Sequence, residues 1–355
     1  MQRREFLTQI GTTAAILGTA GQAIAEPEKP RIKIGQIGVG HGHATKLAGY
    51  RRSADYEVVG IVEPDEALRK RAESEPAFRD LKWMTREELL NVPGLQAVLV
   101  ETRVRDLLDN AEACVAAGKH VSIDKPAGES LPQFRRILES ATKQKLLVQM
   151  GYMYRYNPAV VMLRDFLKKG WLGEVFEVHA VMSKVVDPAQ RKELAAYRGG
   201  IMFELGCHVI DLVVGILGRP KEIAGFSQHA SKIDDKLADN MLAVLTYPKA
   251  LASVKSSAME YDGFARRHLA VCGTEGTFQI QPLDNPSARF TLSRMREMYQ
   301  DRKPYDKKFS DYARYVADAA DMARIIRGEK PSDFPPEHDL AVQETLLKAC
   351  GVPAE

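Results

Sequence analysis

Between Arg31 and Met150, short β-rich runs alternate with helical stretches, and this alternation limits the fold more than any other feature of the chain. The runs are Ile32 to Ile37, Glu57 to Glu63, Ala97 to Thr102, His120 to Asp124 and Leu146 to Met150. Pro64 stops the second, Gly118-Lys119 leads into the fourth, and helical stretches such as Arg105 to Ala117 lie between. Strands joined by helices of this length need right-handed crossovers, which make the sheet parallel and cover both its faces. Residues 30–150 are therefore expected to form a doubly wound α/β domain of Rossmann type. Ligands of such sheets bind along the carboxyl ends of the strands.

After Gly151 the rhythm changes, so a domain boundary is expected near residues 148–152. Pro158 to Lys169 reads as a helix closed by Gly170, Val175 to Ser183 as a strand, and Ile201 to Leu217 as a helix ended by Gly218 and Pro220. Strand-like runs follow at Ile223 to Gln228, Met241 to Tyr247, Ala252 to Ser257, His268 to Cys272, Thr277 to Gln281 and Ala288 to Leu292. Few helices separate them, which favours an antiparallel sheet. Helices near Tyr312 to Ile326 and Pro336 to Ala349 complete an α+β domain over residues 151–355.

The first twenty-five residues have a different character. Arg3-Arg4-Glu5-Phe6-Leu7 is a twin-arginine pattern, an uncharged stretch runs from Ile10 to Ile24, and Ala23-Ile24-Ala25 forms a small-x-small cleavage site before Glu26. Together these predict an export signal and a periplasmic or secreted protein. No segment is long and apolar enough to predict stable membrane insertion. The formal charge is +3 and no Lys/Arg block stands out, which argues against nucleic acid as a partner. Cys114, Cys207, Cys272 and Cys350 match neither a zinc motif nor a disulfide framework, so they read as buried thiols.

The first strand runs into Gly38-Val39-Gly40-His41-Gly42-His43-Ala44. A glycine-rich turn that opens a helix is an anion site, because the helix start offers unpaired N–H groups and a positive dipole end. Gly38 permits the tight turn and Gly40 lets backbone approach a pyrophosphate, while His43 stands where G-x-G-x-x-G has its third glycine. Gly38, Gly40, His41 and His43 are thus expected to meet a dinucleotide. Glu63, at the end of the second strand, suits the two ribose hydroxyls and would repel a 2′-phosphate, which favours NAD over NADP. Thr102 and Lys125 fall at the same carboxyl edge.

Lys125, in Ser122-Ile123-Asp124-Lys125-Pro126, reads either as a surface lysine or as a donor to a substrate hydroxyl. The stretch Gly199 to Asp211 adds weight to the second reading. On a helix Glu204, His208 and Asp211 would share one face at i, i+4 and i+7, while apolar residues cover the rest. Ionisable groups on a buried helix cost several kcal/mol unless paired or facing a wet cleft. His208 is therefore either a core histidine bridging two carboxylates or a functional base. Alcohol oxidation needs a base for the hydroxyl proton, which histidine supplies, and an ammonium can stabilise the developing alkoxide. No metal is required, and no third ligand beside Glu204 and His208 is evident.

With these motifs in order, the chain resembles the glucose–fructose oxidoreductase / inositol dehydrogenase (Gfo/Idh/MocA) family. Gly38-Val39-Gly40, Asp124-Lys125-Pro126, Gly151 to Pro158, Gly173-Glu174-Val175, Gly199-Gly200, Gly206-x-His208-x-x-Asp211 and Cys272 to Gly276 carry the resemblance. It implies a Rossmann domain followed by an α+β domain with a large, mostly antiparallel sheet that commonly forms a dimer or tetramer interface. It also implies a sugar or polyol substrate, a catalytic Lys125, a Glu204–His208 pair in place of D-x-x-x-H, and Arg155 and Asp211 at the substrate cleft. Glu204 is one methylene longer than the usual Asp, and Thr102 to Leu107 lacks the usual Pro, Asn and His. An exported relative would have to carry its dinucleotide tightly bound. Two alternatives stay open: a redox-neutral glycosidase, lyase or epimerase working through a keto-sugar, and a non-catalytic sugar or dinucleotide sensor.

Overall fold

In the computed structural model, residues 29–310 and 312–354 are described; the predicted export signal, residues 1–25, lies outside them. Strands β1 (Ile32–Ile37), β2 (Tyr56–Val62), β3 (Trp83–Met84), β4 (Leu95–Val100), β5 (His120–Ile123) and β6 (Val148–Met150) form one sheet in the order β3-β2-β1-β4-β5-β6. Every neighbouring pair is parallel. β4 is fully buried from Ala97 to Val100, as a strand covered on both faces must be. The strand order reverses between β1 and β4, and the crevice at their carboxyl ends is where a doubly wound sheet binds its ligand. The two-residue β3 is too short to leave a pattern in the sequence.

The second sheet has eight strands: β7 (Val175–Val181), β8 (Glu222–Gln228), β9 (Asn240–Thr246), β10 (Leu251–Ser257), β11 (His268–Gly273), β12 (Gly276–Ile280), β13 (Ser287–Leu292) and β14 (Tyr305–Lys308). Their order is β14-β13-β12-β11-β7-β10-β9-β8. All neighbours are antiparallel except β7 and β10. Buried and half-exposed residues alternate along β9, so one face is packed and the other open. The helices Cys207–Leu217 and Pro336–Ala349 lie on the packed side.

Two features of the second half were not legible in advance. The predicted helix from Ile201 is a π-turn, Met202–Gly206, that leads into the α-helix Cys207–Leu217. Gly200, at φ +54, starts it where a Cβ would run into the carbonyl of Ala238. The late helix Val316–Ile326 returns to the first sheet: Ala319, Met322 and Ala323 share a core with Ile32, Tyr56 and Leu99. The Tyr56 hydroxyl donates to Ala319 O at 2.6 Å. Helix Pro336–Ala349 packs on both Cys207–Leu217 and Leu131–Lys143. Arg31–Glu355 is consequently one compact unit holding both sheets, with two late helices packed back against earlier elements.

Candidate functional site

The glycine turn leaves β1 at the reversal point. Gly38 takes φ +93 with Thr102 backbone so near that a Cβ would lie 2.5 Å from its nitrogen. A Cβ at Gly42 would meet nothing within 4 Å, so this stretch of backbone is open to a ligand. Three adjoining cavities run along the carboxyl edge. One of about 800 Å³ is lined by Glu63, Asp65, Thr102 and Arg103. One of about 590 Å³ touches Val39, Gly40, His41 and Arg103. The last, about 290 Å³, brings Gly40, His41 and His43 together with Lys125, Glu204 and His208. The shared residues make one groove from Glu63 to His208, and its glycine cradle fits a dinucleotide.

Glu63 sits where expected, and its carboxylate also braces the turn, accepting Val39 N–H at 2.9 Å and Asp65 N–H at 3.0 Å. The wall around it carries six carboxylates, Glu63, Asp65, Glu66, Glu88, Asp106 and Asp109, against the guanidiniums of Arg69, Arg86 and Arg103.

Lys125, two residues past the end of β5, is only 1 % exposed and reaches across to the π-turn. Its Nζ donates to Glu204 O at 3.0 Å and to Glu204 Oε1 at 3.2 Å. Burial opposes the ammonium, but Glu204, together with Cys207 and Asp124, offsets it and holds the lysine above its ordinary range. Burial also resists the charge on Glu204, and Lys125 keeps that carboxyl below its ordinary value. An ammonium has three N–H groups, so this pairing leaves Lys125 one donor unassigned.

His208 shows the opposite shift. Burial, then the charge of Lys125, pushes it well below the usual histidine value. It is 4 % exposed, surrounded by the rings of Tyr154, Tyr152 and His43, and its buried Nδ1 has no hydrogen-bond partner. It is therefore a neutral imidazole beside a firmly charged ammonium.

Beneath the glycine turn lies a network that sequence reasoning missed. Lys46 Nζ stands 3.0 Å from Asp124 Oδ2 and 2.5 Å from Glu101 Oε1, all three buried. Burial resists charge on both acids; the neighbouring His41 ring and the Lys46 ammonium keep Asp124 well below its ordinary value, whereas Glu101 is raised. The two adjacent carboxyls are thus shifted in opposite directions around one buried ammonium, as like charges in one site are. Asp124 Oδ1 accepts Lys125 N–H at 2.7 Å and His43 Nδ1 at 3.1 Å. His41 Nδ1 accepts His43 N–H at 3.2 Å, so its proton belongs on Nε2, 3.1 Å from Lys125 O. Burial lowers His41 to about 4. His41, His43 and Asp124 are close enough to share an ion, but backbone N–H groups already occupy the inward atoms of His41 and Asp124, and Lys46 supplies the positive charge. Only the position of Glu101, next after the apolar β4, could have signalled this network.

Arg155 and Asp211 do not reach the cleft, contrary to expectation. Arg155, 2 % exposed, donates from Nε and Nη2 to Asp211 at 2.6–3.1 Å and from Nη2 to Asp339 Oδ1 at 2.5 Å. His338 Nε2 lies 3.0 Å from Asp211 Oδ1. The cavity beside them, about 150 Å³, contains none of Lys125, Glu204 or His208. The reason is geometric: the π-turn alters the helical phase ahead of Cys207, and three further residues advance Asp211 by about 4.5 Å along the axis.

Comparison with known proteins agrees with this architecture. Residues 32–152 match the oxidoreductase family model described as an NAD-binding Rossmann fold, and residues 160–279 match the GFO/IDH/MocA C-terminal domain. The chain is 24 % identical over 309 residues to a trans-1,2-dihydrobenzene-1,2-diol dehydrogenase from Mus musculus, covering 84 % of this chain and 90 % of that one. Among solved structures, an oxidoreductase from Agrobacterium radiobacter in complex with NAD+, L-tartaric acid and magnesium aligns with TM-score 0.77 at 15 % identity, over 91 % of this chain and 97 % of that one. An oxidoreductase from Desulfitobacterium hafniense described as NADPH-dependent aligns with TM-score 0.75 at 18 % identity, over 91 % and 95 %. At these identities the structural likenesses establish the fold.

Proposed function

The chain belongs to the Gfo/Idh/MocA oxidoreductase family, and from that premise we propose that it moves hydride between a CH–OH group of a sugar or polyol and a nicotinamide dinucleotide held in the groove. One observation carries the reading: Lys125 and His208, shifted in opposite directions, line the same cavity as the glycine turn. Such divergent environments divide labour between acid and base. The unassigned N–H of Lys125 binds the substrate oxygen and stabilises it as negative charge develops. Glu204 keeps that ammonium charged. His208, neutral, takes the hydroxyl proton. When bound, the nicotinamide supplies the hydride acceptor. The acidic wall around Glu63 opposes a 2′-phosphate, which supports NAD as the cofactor.

The twin-arginine pattern at Arg3-Arg4 supports an exported protein that leaves the cell with its dinucleotide bound. Mass spectrometry of protein recovered from the periplasm is expected to find NAD. Polyols and sugars added to that protein are expected to reduce it, read by nicotinamide absorbance. Failure of every CH–OH substrate in a broad panel would sink the proposal.

A further inference from the structure

On the side of the catalytic cavity formed by the second domain, positive charge outnumbers negative. Lys184, Arg267 and Arg314 all line the cavity that holds Lys125 and His208. Arg267 is 5 % exposed and fixed on three sides: Nε donates to Ser183 O at 3.1 Å, Nη1 to Asp284 Oδ2 at 2.9 Å, and the guanidinium lies 4.0 Å from the Phe264 ring centroid. Its Nη2 has no acceptor among the described residues. Arg314 Nη2 donates to Asp284 Oδ1 at 2.6 Å, and the Tyr154 hydroxyl donates to the same oxygen at 2.7 Å. One saturated carboxylate therefore serves two guanidiniums.

Lys184 makes no ion pair among the described residues; its ammonium donates to Gln190 Oε1 at 2.7 Å. Burial, reinforced by the charges of Lys125 and Arg267, holds it below the ordinary lysine range. The acids nearby are committed elsewhere. Glu204 is paired with Lys125, and Asp187 caps the helix Pro188–Leu194. Glu193 is exposed and also lines the neighbouring cavity at the glycine turn. The wall thus sets three cations against the single carboxylate of Asp284, and Lys184 is held by an amide that does not neutralise it.

We propose that the ligand of this wall is the carboxylate of a sugar acid, an aldonate or uronate, lying between Lys184 and Arg267 while the reacting hydroxyl faces Lys125 and His208. The inference rests on the hydride-transfer reading of the site and extends it to the class of substrate. Arg267 Nη2 and Lys184 Nζ line the same cavity with N–H donors to spare, and a carboxylate would take charge-assisted hydrogen bonds from them that a neutral sugar cannot.

Titration calorimetry on the full-length, dinucleotide-loaded protein tests it with three probes: a hexuronate, its parent hexose and the hexose 6-phosphate. The hexuronate is expected to bind at least about tenfold more tightly than either of the others. Lys184→Gln is expected to bring the hexuronate-to-hexose ratio towards one, and Arg314→Gln, at an exposed side chain, to lower it in the same direction. Equal binding of acid and parent, tightest binding of the phosphate, or an undiminished ratio in Lys184→Gln would each overturn the proposal. Tight hexuronate binding with no cofactor reduction supports the carboxylate wall and defeats the hydride-transfer reading. Reduction by the hexose with no preference for charge does the reverse.

Discussion

Arg155 and Lys125 are both buried cations, one on each side of the domain boundary, and both are held by acids from a neighbouring element. They differ in how completely they are satisfied. Arg155 meets two buried carboxylates, with His338 adding a contact to one of them, and its surroundings close over it. Lys125 has a single carboxylate, on a side chain 18 % exposed, and one donor left over beside an open cavity. Burial and ion pairing alone do not separate structural charge from chemical charge. The leftover hydrogen-bonding capacity, and where it points, does.

The comparison breaks most readily at the closed cluster. Asp211→Ala leaves Arg155 with Asp339 as its one carboxylate partner in a buried site, and is expected to cost about 3–5 kcal/mol of stability in urea denaturation, with turnover per folded molecule little changed. Full stability with lost turnover would transfer Arg155 and Asp211 to the catalytic site. Lys125→Met is the mirror experiment: kcat/KM should fall by about 10²–10³-fold, roughly 3–4 kcal/mol. Its melting temperature should move less than that of Asp211→Ala, because water can reach Glu204. Turnover close to that of the parent protein would remove Lys125 from the mechanism.

The smallest effect concerns pH. His208 and His41 have folded values below the unfolded value of 6.5, so the native state binds fewer protons between the two. Their contribution to stability is fully present above pH 6.5 and is lost as pH falls, for His41 towards its folded value of about 4. The same depression keeps His208 a base below pH 6.5, so the acid limb of kcat/KM should lie under that value, with a tenfold loss for each pH unit beyond it. Lys125, shifted upwards, should add no alkaline limb in the range where the protein is usually assayed. An acid limb at or above 6.5 would show that His208 is not the titrating base.

Much of this was legible where one residue type answers one local demand. Gly38 is required by a positive φ and a crowded neighbour, and the alternation of strands and helices gave the strand order its parallel sense. Lys125 and His208 stood out because charge on apolar elements needs a reason. What stayed hidden depends on tertiary context. Lys46 and Glu101 look like ordinary turn and strand-end residues until the fold places them against Asp124. Helical periodicity assigned Asp211 to the face of Glu204, and the π-turn at Met202–Gly206 moved it off. Lys184, Arg267 and Arg314 come from separate segments, so no motif could unite them.

The return of Val316–Ile326 to the first sheet carries a consequence for synthesis. A nascent chain ordinarily completes its amino-terminal domain while the remainder is still being made. Here the earliest strands wait for a hydrophobic surface encoded far along the chain, 263 residues on from Tyr56 at the Ala319 contact, so that half closes only after the strands of the second sheet have been made. Excised at residue 150, the nucleotide-binding half would present Tyr56 and its neighbours to water and should aggregate rather than stand alone.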